Sequence, residues 1–347
     1  MPIMSSRTRP IVRVIVLDGV DWKYIHEKPH LVPELFELSN AGGVHCGCCA
    51  MLRACEAPIT PCAVCALLTG RDDVEGWFTE DRFATSQELI RTRPWFFEAA
   101  RMDLTVGLVN VPLTWPAFRL PPGSWVTSGF PVLPATLHDA SRPWHWPPSL
   151  PVGDYPIEEL TRDNVAGGTR DLPMLRGAEE RIVDWTIKAS PGAHIEFVWL
   201  RATDSAGHHY WGTPEYDETL RWASIQAGRL ANANDPANVL VISDHGFDAL
   251  SSPRCDAYKR TSHGPAAERA NLRGGHSEEG ILFARGEQIH ARGYLPEQKL
   301  VEVAGGLFDL LQLPPAPGML SKQPAWSAPM SSAEAEAGIR TLKELGY

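Results

Sequence analysis

The chain alternates short apolar runs with longer stretches of helical spacing. Residues 11–17, 104–109, 195–200 and 280–284, and the run from Val239 to Ile242, are short β-branched or aliphatic runs that predict buried strands. Residues 31–41, 95–101, 177–190, 214–231, 300–311 and 332–345 have the spacing and end signals of helices. One more helix opens at Thr60-Pro61 and closes at Thr69-Gly70, with Thr60 as N-cap and Pro61 in the first turn. Prolines are dense from 114 to 156 and interleaved with Trp115, Trp125, Trp144 and Trp146. This stretch predicts no regular secondary structure, and its aromatics favour an ordered cap over disorder. The expectation is that it covers the site and helps to choose the substrate.

The strand ends carry the chemistry. The run 11–17 stops at Asp18-Gly19, and the run to Ile242 continues as Ser243-Asp244-His245-Gly246. Open α/β sheets place their ligands at the carboxyl ends of strands, and Gly246 permits the turn that follows. The strand 195–200 runs into Asp204-Ser205-Ala206-Gly207-His208. An Asp and a His four apart share one face of a helical turn, good geometry for two ligands of one metal. His276 precedes the strand 280–284. Each piece also has an ordinary reading as a polar loop, and Thr60 as a helix cap. Alternatively, the Thr60 hydroxyl sits at the positive end of a helix dipole, where an alkoxide or a phosphoryl oxygen is favoured. Sequence position does not separate these readings.

The 347 residues suffice for one large α/β domain with an insertion, and the expected organisation is one catalytic domain over 1–347 with a cap at 114–156. The formal net charge of −10, without a long Lys/Arg run, argues against a nucleic acid polymer as partner. A small phosphoester is compatible with it, since metal ions can supply local positive charge. No stretch is long and apolar enough for a membrane span, and 11–17 is too short for a secretory signal, so the expectation is a cytoplasmic protein without a membrane partner. Cys46, Cys48, Cys49, Cys55, Cys62, Cys65 and Cys255 are odd in number and mostly crowded together, unlike a secreted disulfide scaffold. Their spacing admits a zinc or redox role, but buried Cys also packs as a small hydrophobe.

Asp18, Asp204, His208, Asp244, His245, His276 and Thr60 form a mixed oxygen and nitrogen set that suits two divalent ions, zinc or else manganese. With V-I-V-L-D-G at 14–19, A-P-I-T-P and L-L-T-G between 57 and 70, and V-G-L-V-N-V-P-L-T-W-P at 106–116, the chain resembles the alkaline phosphatase superfamily. D-S-A-G-H at 204–208, S-D-H-G-F at 243–247, G-G-H with G-I-L-F-A-R-G at 274–286, and the closing L-G-Y extend the resemblance over nearly the whole chain. The branch it is most similar to is the type I phosphodiesterase/nucleotide pyrophosphatase group. The resemblance implies an α/β/α sandwich around a mostly parallel sheet. It implies one zinc held by Asp204, His208 and His276, and another by Asp18, Asp244 and His245. Thr60 would be a metal ligand and the nucleophile of a double displacement through phosphothreonine.

The sequence departs from the family pattern after Thr69-Gly70, where R-D-D-V-E-G-W at 71–77 keeps Gly76 but lacks the usual Pro and His-Gly. The oxyanion-binding Asn is not evident beyond the Thr60 helix. Arg82 stands in that neighbourhood, and Asn110 is a second substrate-binding candidate. A phosphomonoesterase is the alternative, which requires extra cations such as Arg71, Arg82, Lys259 or Arg260. A phosphomutase is a weaker alternative. A sulfatase would need a nucleophilic Cys or Ser with a nearby Pro and Arg, a context that neither Cys55 nor Cys62 has. A non-catalytic metal or redox module would be built on Cys46, Cys48 and Cys49.

Overall fold

The computed structural model describes residues 10–40, 46–71, 73, 86–129, 143–160, 171–261, 272–316, 318–320, 324–326 and 330–344. Its strands in chain order are β1 Val12–Leu17, β2 Cys46–Arg53, β3 Val106–Val111, β4 Trp125–Ser128, β5 His145–Trp146 and β6 Ile195–Leu200. They continue as β7 Asn238–Ile242, β8 Gly246–Ala249, β9 Gly274–Ser277, β10 Glu279–Gly286, β11 Gly293–Tyr294 and β12 Gln298–Lys299.

Every residue of β1, β3, β6 and β7 is buried, which is why these segments read as apolar runs without alternation. The central sheet runs β11-β2-β10-β7-β1-β6-β3-β4-β5, with β12 beside β2. The β7-β1-β6-β3-β4 core is parallel, and β10 lies antiparallel between β7 and β2. Val12, Val14 and Val16 of β1 enter one core with the helices Thr60–Thr69 and Glu302–Leu310. Ile15 and Leu17 enter the opposite core with Pro33–Ser39, Leu172–Lys188 and Pro214–Asn232. Side chains alternate across a strand, so one sheet feeds two apolar layers and the fold is an α/β/α sandwich with a mostly parallel sheet.

The structure revises three sequence readings. The described residues of 114–156 are not wholly irregular: Trp125–Ser128 extends the parallel sheet and His145–Trp146 closes its edge antiparallel. Proline density masked a strand whose Val and Thr suit pleated geometry. Cys46, Cys48 and Cys49 lie on β2 beside β10, and none of the seven cysteines is in a disulfide. Burial pushes the Cys49 thiol up to about 12 and Cys48 well above its usual range, which keeps both protonated. Among the described residues, no group able to hold a metal includes a cysteine, so the cysteine-built module loses its support. Thr60 is the first helical residue rather than the cap, because Ile59 occupies the cap with extended dihedrals. Among the described residues, no helix is long and apolar enough to cross a membrane.

One buried ion pair ties the layers together. Arg13 of β1 and Glu196 of β6 stand in register and are both fully buried. The guanidinium donates to Glu196 at 2.6 and 3.0 Å and to the carbonyls of Leu230 and Ala233 at the end of the helix Pro214–Asn232. Removing one partner strands a buried charge. Glu196→Ala is therefore expected to cost about 3–5 kcal/mol, with Arg13→Met/Glu196→Leu recovering much of it. Urea denaturation midpoints check both; a single-variant loss below about 1 kcal/mol would contradict the assignment.

Candidate active site

The sheet brings the candidate residues together because β7, β1 and β6 are parallel neighbours that end at the same edge. Asp18 follows β1, Asp244 and His245 follow β7, and the helix Ala202–Tyr210 after β6 presents Asp204 and His208 one turn apart. His276 comes from β9, which pairs antiparallel with β8 so that His276 stands opposite Phe247. His276 thus lies within a strand rather than in a loop before one. Gly19 adopts a left-handed φ of 71°, and a Cβ there would meet the Phe247 ring at 2.5 Å. Gly246 needs no left-handed turn. Its requirement is space, since a Cβ would lie 2.6 Å from an Asp21 carboxylate oxygen.

Two groups of ligand atoms result: Asp18, Asp244 and His245, and Asp204, His245 and His276. In the first, His245 Nε2 lies 3.3 Å from Asp18 Oδ1 and 3.5 Å from Asp244 Oδ2. In the second, His276 Nε2 lies 3.2 Å from Asp204 Oδ1. His208 adjoins this group, with its Nε2 at 3.0 Å from His276 Nε2 and 3.5 Å from Asp204 Oδ1. The His245 and His276 rings stack at 3.7 Å between centroids, and the Tyr258 ring lies on the other side of His276, 4.3 Å away. His245 therefore borders both groups.

The surrounding bonds orient five of the six candidate ligands. His245 Nδ1 faces the Gly246 carbonyl at 3.1 Å, His276 Nδ1 the Pro58 carbonyl at 2.7 Å, and His208 Nδ1 the Gly274 carbonyl at 3.4 Å. A carbonyl only accepts, so these contacts place a proton on each Nδ1 and turn each Nε2 inward. Asp18 Oδ2 accepts from the Trp199 indole N–H at 2.8 Å, and Asp244 Oδ1 accepts from the Gly19 amide at 3.3 Å. The other oxygens, Asp18 Oδ1 and Asp244 Oδ2, are buried without hydrogen-bond partners, as are Asp204 Oδ1 and His245 Nε2. Buried polar atoms are normally satisfied, and four such atoms converging beside two facing imidazole nitrogens fit divalent cations.

Electrostatics point the same way. Burial disfavours the His245 imidazolium, but the charges of Asp244 and Asp18 more than offset this and raise its pKa to about 10. Burial and the neighbouring Asp18 push Asp244 well above the carboxylate range. Burial pulls His276 down to about 3, helped by the charge of His245. Burial works against the Asp204 carboxylate, yet His208, His276 and His245 together hold it below the usual range. These shifts mark a crowding of like charge that a bound cation would relieve.

Thr60 is half-buried at the start of its helix. The His276–Pro58 bond ties the backbone two residues before Thr60 to the ligand cluster. Asn110, one residue before the end of β3, has a left-handed φ of 55°, is fully buried, and donates from its amide to the Trp199 carbonyl at 3.0 Å. It thus braces β6, whose Trp199 indole donates to Asp18. Arg82 lies outside the described residues. Sequence reasoning missed Trp199 and Thr203, whose hydroxyl donates to the Asp18 carbonyl. It also missed Arg201, a buried guanidinium whose pKa burial lowers to about 10 against the opposing charges of Asp204 and Asp18. None of these has a motif signal, because their roles arise from neighbouring strands.

The sequence model of the family described as type I phosphodiesterase / nucleotide pyrophosphatase matches residues 12–312. The chain belongs to this family. The match spans every ligand candidate, from Asp18 to His276. It is a family of phosphodiester and pyrophosphate hydrolases, and the α/β/α fold agrees with it. No curated protein matches the chain.

Asp21 anchors the β8–β9 ribbon. Its Oδ2 accepts from the Phe247 amide, the Ser277 hydroxyl and Arg254, at 3.2, 2.8 and 2.7 Å. Burial raises the Asp21 pKa to about 6, although Arg254 and the hydrogen bonds oppose this. A raised carboxyl pKa gives stability that is present below the unfolded value and lost as pH rises through about 6. Against Asp21→Asn, the wild type should therefore lose about 3 kcal/mol of relative stability between roughly pH 4 and pH 7. Denaturation series at both pH values check this, and a pH-independent difference would refute it.

Proposed function

We propose that the protein is a two-metal phosphoester hydrolase that cleaves phosphodiesters, with Thr60 as nucleophile. The observation that carries this reading is the convergence of buried oxygens and inward-facing imidazole nitrogens, tied through His276 to the chain just before Thr60. Asp18, Asp244 and His245 would hold one divalent ion, and Asp204, His208 and His276 the other. Zinc fits this nitrogen and oxygen set, with manganese as the alternative. When bound, such ions supply Lewis acidity to the attacking and leaving oxygens of an in-line displacement.

The chain's own residues do the rest. Thr60 Oγ passes its proton to solvent water and attacks phosphorus, the P–O bond to the leaving oxygen breaks as that oxygen takes up a proton from water, and phosphothreonine forms. Water then attacks phosphorus, restores the Thr60 hydroxyl and releases the second product. The helix Thr60–Thr69 presents its positive end to the phosphoryl group. The expected substrate is a small phosphodiester or pyrophosphate rather than a nucleic acid polymer, as the net charge of −10 suggests.

Two of the cations considered for a monoester, Arg71 and Lys259, are engaged elsewhere. Arg71 pairs with Asp73 just past the far end of the Thr60 helix, about 15 Å along its axis. Lys259 bonds the Ser252 carbonyl and Asp256. One observation favours a monoester, the Arg201 guanidinium in the field of Asp18 and Asp204. The deciding assay compares bis-(p-nitrophenyl) phosphate with p-nitrophenyl phosphate on zinc-loaded protein. Preference for the diester is expected, and preference for the monoester would replace the reading.

Thr60→Ala is expected to lower kcat by at least about 1,000-fold while metal content stays near the wild-type value. Asp244→Ala should lose both metal and activity. Elemental analysis beside the rate measurement separates the two. Wild-type turnover in Thr60→Ala would remove Thr60 from the mechanism.

A further inference from the structure

The helix Leu172–Lys188 buries a carboxylate in its apolar face. Glu179 has no exposed surface and lies among Leu175, Ala178 and Ile182. An unpartnered charge there would be strongly unfavourable. Its two oxygens instead accept the consecutive backbone amides of Arg201 and Ala202, at 2.7 and 3.2 Å. These amides open the helix Ala202–Tyr210, whose cap residue, Arg201, makes no side-chain capping bond of its own. Amides in the first turn of a helix lack intrahelical acceptors, and Glu179 supplies two from another element.

That turn touches both metal groups. The Leu200 carbonyl accepts the Asp18 amide at 2.8 Å, and Thr203 donates its hydroxyl to the Asp18 carbonyl. Asp18 is thus gripped from two sides by the same few residues that start the helix carrying Asp204 and His208. Glu179 fixes this turn to the outer helical layer. Burial raises its pKa to about 8 against the two backbone bonds, and the charge of Asp18 adds to the rise.

We propose that Glu179 is a positioning residue of the metal centre, holding the Leu200–Thr203 turn so that Asp18, Asp204 and His208 converge. This rests on the two-metal reading above. It goes beyond that reading by giving a buried acid on a different helix, in contact with neither metal group, control over both. Serine or aspartate at position 201 would cap the helix locally. A carboxylate reaching from the outer layer also sets where the helix stands relative to the sheet.

Glu179→Gln keeps the size but points an amide donor at one backbone N–H. Glu179→Asp keeps the carboxyl group and shortens the reach. The test strips the protein of metal with a chelator and titrates zinc back against a chromophoric competitor. The visible absorption of the cobalt-substituted protein is recorded in parallel. Orienting partners of metal ligands are worth about 10- to 100-fold in affinity. Glu179→Gln is expected to weaken zinc binding in that range and to shift the cobalt bands, with Glu179→Asp in between.

A purely structural cap would lower the melting temperature and leave zinc affinity and cobalt spectrum at wild-type values. That result overturns the inference. If Glu179→Gln does not fold, Glu179→Asp is judged by the same two readouts. Wild-type protein that binds no zinc or cobalt would remove the two-metal reading itself. Wild-type affinity in the variants, with normal binding in the parent, removes only the role of Glu179.

Discussion

Three carboxylates, Asp18, Asp204 and Asp244, are held together at the buried end of a sheet, and the rest of the structure is arranged around that concentration of charge. Like charges so close repel and lose hydration, so the arrangement survives only with specific compensation. His245, His208 and His276 supply part of it, and the pKa directions of Asp204 and His245 show the exchange. The Gly19 amide and the Trp199 indole supply more, one oxygen at a time. What remains is inward-facing oxygen and nitrogen, the donor set that hard and borderline divalent cations take.

Convergence at that density depends on the backbone. Three parallel strands in the order β7-β1-β6 deliver their carboxyl ends side by side, and each contributes acidic residues within four positions of its last residue. The antiparallel β8–β9 ribbon closes the site from above and adds His276. Phe247 fills the space between the Asp18 turn and the imidazoles, lying 5.0 Å from both His208 and His276. Its fit requires Gly19. Arg254 then joins Asp21, Asp248 and Glu279, anchoring the ribbon to the first turn of the chain.

Much of the site was legible because strand ends are easy to read. A buried parallel strand is a near-continuous apolar run, so Asp18, Asp244 and His245 stood out as polar residues at its end. The i, i+4 spacing of Asp204 and His208 carried over directly onto a helix. Thr60 was misread as a cap since Thr-Pro is a helix-opening pair at either register, and caps shift by a residue or two. The strands inside 114–156 were hidden by proline density. The resemblance to type I phosphodiesterases rested on motifs that lie within the matched residues 12–312, except the closing L-G-Y.

By itself the sequence determined the class of fold, the residue types of the candidate ligands and, His276 apart, the elements on which they sit. These are local properties, set by periodicity, end signals and residue type. The tertiary structure decided which ligands share a group, that His245 borders both, and which oxygen of Asp18 and Asp244 faces inward. It alone brought Trp199 to Asp18 and Glu179 to the turn before Asp204, across 181 and 22 positions of chain. Those contacts follow from strand order and layer packing. A buried Trp or a helical Glu carries no mark in the sequence of the group it will meet from another layer.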